Sequence, residues 1–326
     1  MAQFRIPATP SWDCDQPIEI ADFWEILALQ ATSHSASLAN VRAAIAQHAE
    51  VDAEADTEDD IAEENRLDFA IREIQERVAI CGAAQYPFKL ANESDRVLES
   101  KPHANNKGFW LYCFLLLATR MNMKERQILG GVNAPLLFEE ICEVALRNLN
   151  GAKADVHRFG TSAGGQNFTQ RLQEFFQKFD EYPLRTDRDI PKNGGDDGLD
   201  LALWNKFSWQ SETRWRPEAR SPRGKLIVLA QCKTGTSWDE ADFNRLQPET
   251  FFDKWMKRQP RGQTNRAFMS ACRVEAQELE DYQQDCVFFD RCRIVDYAAE
   301  VVPDDVFNRV RTWTEAAYAC PDFAGT

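Results

Sequence analysis

Asp200, Gln231 and Lys233 are the residues of this chain whose types and spacing suit chemistry. Asp200 closes the stretch Gly195-Asp196-Asp197-Gly198-Leu199-Asp200, and Gln231-Cys232-Lys233 follows the apolar run Leu226-Ile227-Val228-Leu229-Ala230. A carboxylate, an amide oxygen and the main-chain carbonyl of Cys232 form a set of hard oxygen ligands, which suits magnesium with several waters left on the ion. Lys233 lies two residues beyond Gln231, so on a strand both side chains point the same way. An ammonium in that place orients an attacking water or neutralises charge building on a phosphorane. Activated water beside a hard cation and a fixed positive charge is the equipment for cleaving a phosphodiester.

Singly, each residue has an ordinary explanation: a turn aspartate, a solvated lysine at a strand end, a glutamine satisfied by backbone. Their joint occurrence on two strand-like segments, in this order and inside a locally basic stretch, is what distinguishes them. Nearby, Ser208 to Gly224 mixes Trp209 and Trp215 with Arg214, Arg216, Arg220 and Arg223. That mixture suits backbone contact and base stacking, which makes Arg214, Trp215, Arg216 and Arg220 candidate nucleic-acid contacts, although an exposed hairpin excursion would have the same composition. Lys257, Arg258 and Arg261 add positive charge at the end of a helix, where the helix dipole also favours it.

The elements that must hold these residues follow from periodicity. Residues 1–130 read as a mostly helical region: a short helix from Asp22 to Gln30, a longer one entered through Thr57 with Leu67, Ile71, Ile74, Val78 and Cys81 at helical spacing, and a buried helix from Phe109 to Thr119. The acidic run Asp52 to Glu64 reads as a solvated first turn and linker. From Ala134 the pattern alternates. A helix capped by Asn133 and stopped by Gly151 precedes a strand at Asp155 to Phe159. An amphipathic helix with Phe168, Leu172, Phe175, Phe176 and Phe179 is then inserted before strands at Gly198 to Trp204 and Lys225 to Gln231. The latter is apolar on both faces, as a covered central strand should be. A helix from about Glu240 to Lys257, a strand near Ala267 to Ser270, a helix near Val274 to Tyr282 and a strand at Val287 to Phe289 complete the series.

Composition sets the outer bounds. With 326 residues and 44% apolar content the chain can bury a real core. Its longest apolar run, Phe109 to Ala118, is about half of what a bilayer requires, and the start lacks the features of a signal sequence, so a cytoplasmic protein without a membrane partner is expected. Nine scattered cysteines without a Cys-x-x-Cys pair, beside four histidines, suit reduced thiols rather than disulfides or structural zinc. The net charge of -14 argues against a nucleic-acid partner until it is divided along the chain. Asp and Glu against Lys and Arg give -11 for residues 1–150, +4 for 151–270 and -7 for 271–326. The locally basic third is the one that holds Asp200, Gln231 and Lys233.

These two stretches resemble the PD-(D/E)XK nuclease superfamily, and within it the Mrr-like restriction nucleases that read Gly-Asp-Gly-Gly-Ile-Asp followed by Gln-Cys-Lys. The resemblance covers roughly Gly131 to Asp290. It implies an α/β fold with a restriction-endonuclease-like core (helix, three strands, helix, strand), a helical regulatory or partner-binding region at 1–130 and a nuclease domain at 131–326. It also implies Asp200 as metal ligand, Gln231 and Lys233 as the Q-x-K pair, and a further acid from a preceding helix, which Glu139 of Phe138-Glu139 matches. Asp197-Gly198 stands where the family has Gly-Gly, and the inserted helix makes Glu174 a rival to Glu139. The activity implied is DNA cleavage with magnesium, or manganese in its place, in restriction or phage defence. A nucleic-acid-binding or assembly subunit without turnover and an RNA-directed nuclease are the alternatives. The sequence leaves the protein partner of the helical region and self-association into a homo-oligomer undecided.

Overall fold

The computed structural model describes residues 16–48, 57–91, 96–101, 105–120, 128–151, 154–159, 168–179, 197–205, 225–235, 238, 240–260 and 262–319. The first part comprises α1 (Pro17–Gln30), β1 (Ser35–Ser37), α2 (Leu38–His48), α3 (Thr57–Cys81), β2 (Phe88–Leu90), β3 (Val97–Ser100) and α4 (Lys107–Arg120). The three helices expected here are present, but they do not account for the whole region. β1, β3 and β2 form a small antiparallel sheet that the sequence did not disclose. Strands of three or four residues are too short to display a period-2 alternation.

A hairpin of β4 (Ile128–Leu129) and β5 (Val132–Asn133) leads into the second part. Gly130 and Gly131 both take positive φ, 56° and 77°. A two-residue hairpin loop of type I′ requires this of both central residues. Helix α5 (Ala134–Asn150) starts where Leu136 N–H donates to the Asn133 side chain at 3.2 Å, and Gly151 follows its last residue. The asparagine thereby satisfies one of the donors that a helix start leaves open. Then come β6 (Ala154–Arg158), α6 (Phe168–Phe179), β7 (Leu201–Asn205), β8 (Lys225–Lys233), α7 (Glu240–Phe243) and α8 (Pro248–Trp255). The chain continues through β9 (Gly262–Ser270), α9 (Ala276–Asp285), β10 (Val287–Phe289), α10 (Arg291–Ala298) and α11 (Asp304–Tyr318). The single helix expected from Glu240 to Lys257 is two pieces. Pro248 begins the second and holds Gln247 extended, so the two cannot be continuous.

The fold is α/β. Five strands form one sheet in the order β10-β9-β8-β7-β6. β7 runs antiparallel to both β6 and β8, whereas β9 and β10 run parallel to β8 because α7, α8 and α9 carry the chain back between them. Both faces of the sheet are covered. On one, Leu201, Leu203, Val228, Ala230, Ala267 and Met269 pack against α5 and α10. On the other, Ala202, Trp204, Ile227 and Leu229 meet the aromatic stripes of α6 and α8. The inserted helix α6 therefore has a definite place: Phe175 and Phe179 set their rings edge-on to Trp204, with centroids 5.6 and 5.4 Å away.

The boundary expected near residue 130 does not divide the core. One apolar cluster runs from Ile20, Trp24 and Leu67 through Phe114, Phe138 and Leu203 to Ile294 and Trp313. Helices α10 and α11, which follow the last strand of the sheet, supply the surface on which α3 and α4 rest. Among the described residues no helix is long and apolar enough to cross a membrane.

Candidate active site

The antiparallel pairing of β7 and β8 places Asp200 against the end of β8. Its main chain bridges the sheet: Asp200 N–H donates to Ala230 O at 3.0 Å, and Phe159 N–H donates to Asp200 O at 2.7 Å. Its carboxylate accepts a hydrogen bond from Cys232 N–H at 2.7 Å, taking the place that a backbone carbonyl of β7 would hold had the strand begun earlier. Along a regular strand the N–H and C=O of one residue face the same neighbour, so the Cys232 carbonyl of β8 faces the β7 side, as its N–H does. Asp200, Gln231 and the Cys232 main chain are thereby brought to one corner of the sheet.

Gln231 is buried, at 2% exposure, and its Oε1 finds no hydrogen-bond partner among the described residues. Leaving a buried amide oxygen unmatched costs about 1–3 kcal/mol. A cation in this corner would relieve it, and the donors present (a carboxylate, an amide oxygen and a main-chain carbonyl) fit a hard divalent ion. Among the described residues no three His, Cys, Asp or Glu side chains gather as a metal site. A cation held here would depend on the amide and carbonyl oxygens in addition to carboxylates.

Lys233 extends from the same side of β8 as Gln231, and its Nζ lies 2.8 Å from Asp242 Oδ1 on α7. Cys232 points the other way, toward Cys142 of α5. Burial pushes both thiols up from their ordinary range, and the charges of Glu139 and Asp200 act on both in the same direction. Glu139 is therefore close enough to share an electrostatic environment with Asp200, across the end of β8. Glu174 instead acts on His157, alongside α6 and β6. Of the two acids left open by the sequence, Glu139 acts on the same pair of thiols as Asp200 and Glu174 on His157.

The turn before Asp200 has its own support. Asp197 and Gly198 take φ of 54° and 83°. This is a left-handed conformation that glycine adopts freely and aspartate tolerates. Both carboxylate oxygens of Asp197 lie 2.7 Å from Lys254 Nζ, and Trp255 Nε1–H donates to one of them at 3.0 Å. Lys254 also lies over the Trp255 ring, 4.7 Å from its centroid. Helix α8 thus clamps the turn that presents Asp200. Asp242, Arg245 and this clamp escaped sequence reasoning, because nothing in spacing ties residues 242–254 to the ends of β7 and β8. The four expected nucleic-acid contacts, Arg214, Trp215, Arg216 and Arg220, lie outside the described residues. Protein-family models, curated proteins and solved structures return no match to this chain, so its functional reading stands on the residues and geometry above.

Proposed function

We propose that this chain is a metal-dependent nuclease that hydrolyses DNA phosphodiester bonds, with a PD-(D/E)XK core built from α5, β6 to β9, α7 and α8. The observation that carries this proposal is the corner where the Asp200 carboxylate meets Cys232 N–H beside the partnerless Oε1 of Gln231, two residues before Lys233. Two further observations support it. The sheet orders a helix, three antiparallel strands, helices and a parallel strand. Asp197, which stands where the resembling family has glycine, holds the backbone conformation that glycine favours.

Asp200, Gln231 and the Cys232 carbonyl would hold magnesium, or manganese, with Glu139 as the further acid. When bound, the ion polarises the phosphate and lowers the pKa of a water. Lys233 stabilises negative charge developing on the phosphate, and Asp242 fixes where its ammonium sits. Service in restriction or phage defence rests on the resemblance alone.

Pure protein incubated with plasmid, linear duplex, single-stranded DNA and RNA, in magnesium, manganese or excess chelator, tests the proposal. DNA cleavage that needs the divalent ion is expected, with manganese the better metal because an amide replaces an acid at Gln231. Equal cleavage in chelator would sink the metal mechanism, cleavage of RNA alone would replace the substrate, and binding without cleavage in any metal would leave a nucleic-acid-binding subunit.

A further inference from the structure

The turn that leaves α7 sets a second cation beside the strand end that carries Gln231 and Lys233. Arg245 N–H donates to Asp242 O at 3.3 Å, so the residue that grips Lys233 and Arg245 sit one helical turn apart. Arg245 is exposed. A Cβ built on Gly198 would lie 3.3 and 3.4 Å from Cγ and Cδ of Arg245, and 3.4 Å from Cδ of Gln231. The arginine stem and the glutamine amide therefore both border the space that a side chain at position 198 would enter. The stem thus lies against the turn that presents Asp200, and a guanidinium is a planar fork of donors that matches two non-bridging oxygens of a phosphate. Lys233 is a point charge held by Asp242, one helical turn away from Arg245.

Resting on the nuclease proposal above, we propose that Arg245 binds the substrate's phosphate at this site, and that Gly198 is glycine partly so that the Arg245 stem can cross it. Arg245 is then a substrate-contacting residue supplied by the α7 segment, with Asp242 positioning Lys233 from the same turn.

The test uses the full chain and a fluorescent DNA duplex, with calcium replacing magnesium so that binding is measured without cleavage. Arg245→Ala should weaken binding by roughly 10- to 100-fold, the range of one charge-assisted contact, and lower the slope of log affinity against log salt by about 0.9. Arg245→Lys should fall between Ala and the parent. Arg311→Ala, which removes an exposed arginine on α11, serves as the control for net charge and should bind as the parent does. Unchanged affinity and salt slope in Arg245→Ala, or an equal loss in Arg311→Ala, overturns the assignment while leaving cleavage by the parent intact. A parent protein that neither binds nor cuts nucleic acid overturns the nuclease proposal itself, and Arg245 falls with it.

Discussion

Arg291 grips Asp22 through two contacts, Nη1 to Oδ1 at 2.7 Å and Nη2 to Oδ2 at 3.1 Å, across 269 residues of sequence and away from solvent. Arg77 and Arg120 reach the same carboxylate at 2.7 and 2.8 Å. Burial alone would raise the Asp22 pKa, but Arg291, Arg120 and Arg77 outweigh it and hold the carboxyl well below its usual range. Arg291 also donates to Thr119 Oγ1 and to Ala271 O, so a single guanidinium joins α1, α4 and the end of β9. One turn along α1, burial raises Glu25, whose carboxylate accepts from the hydroxyls of Tyr86 and Tyr112.

Removing one partner from this network should be far more damaging than any surface ion pair. Arg291→Met leaves Asp22 buried with one guanidinium fewer, a change expected to cost about 3–5 kcal/mol. Urea denaturation of the variant should show a lower midpoint at an unchanged slope. A fragment of residues 131–326 strips the apolar cover from α10 and α11, and should show no cooperative transition. A fragment that unfolds cooperatively would make residues 1–130 an independent appendage.

At the proposed catalytic corner, Asp200→Ala and Lys233→Ala should separate metal holding from charge stabilisation. Both should lower cleavage by on the order of 10²-fold or more. Calorimetric titration should find manganese binding lost in Asp200→Ala and kept in Lys233→Ala. Asp242→Asn should keep the fold and the metal but lower kcat, and Asp242→Glu should restore part of it. A folded Lys233→Ala protein that cuts at the parent rate would remove Lys233 from the mechanism.

Gly198→Ala is expected to be harmful beyond its size. The backbone there has φ +83°, and the added methyl would press on Cγ of Arg245 at 3.3 Å. An L side chain in that left-handed conformation is strained by roughly 1–2 kcal/mol. The melting temperature should drop modestly while cleavage drops steeply. Loss of stability with full specific activity would show that the contact over Gly198 carries no functional weight.

His157 gives the fold a dependence on pH. Burial first, and then the Lys178 ammonium, push it from 6.5 down to about 4. The folded state therefore keeps it neutral, with its Nε2 2.9 Å from Arg171 O. The unfolded chain takes up a proton near its ordinary pKa of 6.5. Its contribution to stability is complete above pH 6.5 and is lost as the pH falls toward 4. His157→Gln should flatten the decline in stability across that window, measured by urea unfolding at pH 7 and pH 5. An unchanged decline would assign the acid sensitivity to other groups.

Local sequence determined the parts of this protein whose signals are local. The apolar run before Gln231 makes β8 a covered strand, Asn133 and Gly151 bound α5, and the phenylalanine stripe of α6 has one face to bury, so the α/β character and the candidates Asp200, Gln231 and Lys233 are all legible from residue type and period. Tertiary structure alone decided the rest. It placed Asp242 on Lys233 and Arg245 against Gly198, and it joined Asp22 to Arg291 across 269 residues of sequence. The reason is physical. Period and capping act between residues a few positions apart, whereas a buried charge can choose its partner from anywhere in the chain, and only the packed core determines which one is near enough to neutralise it.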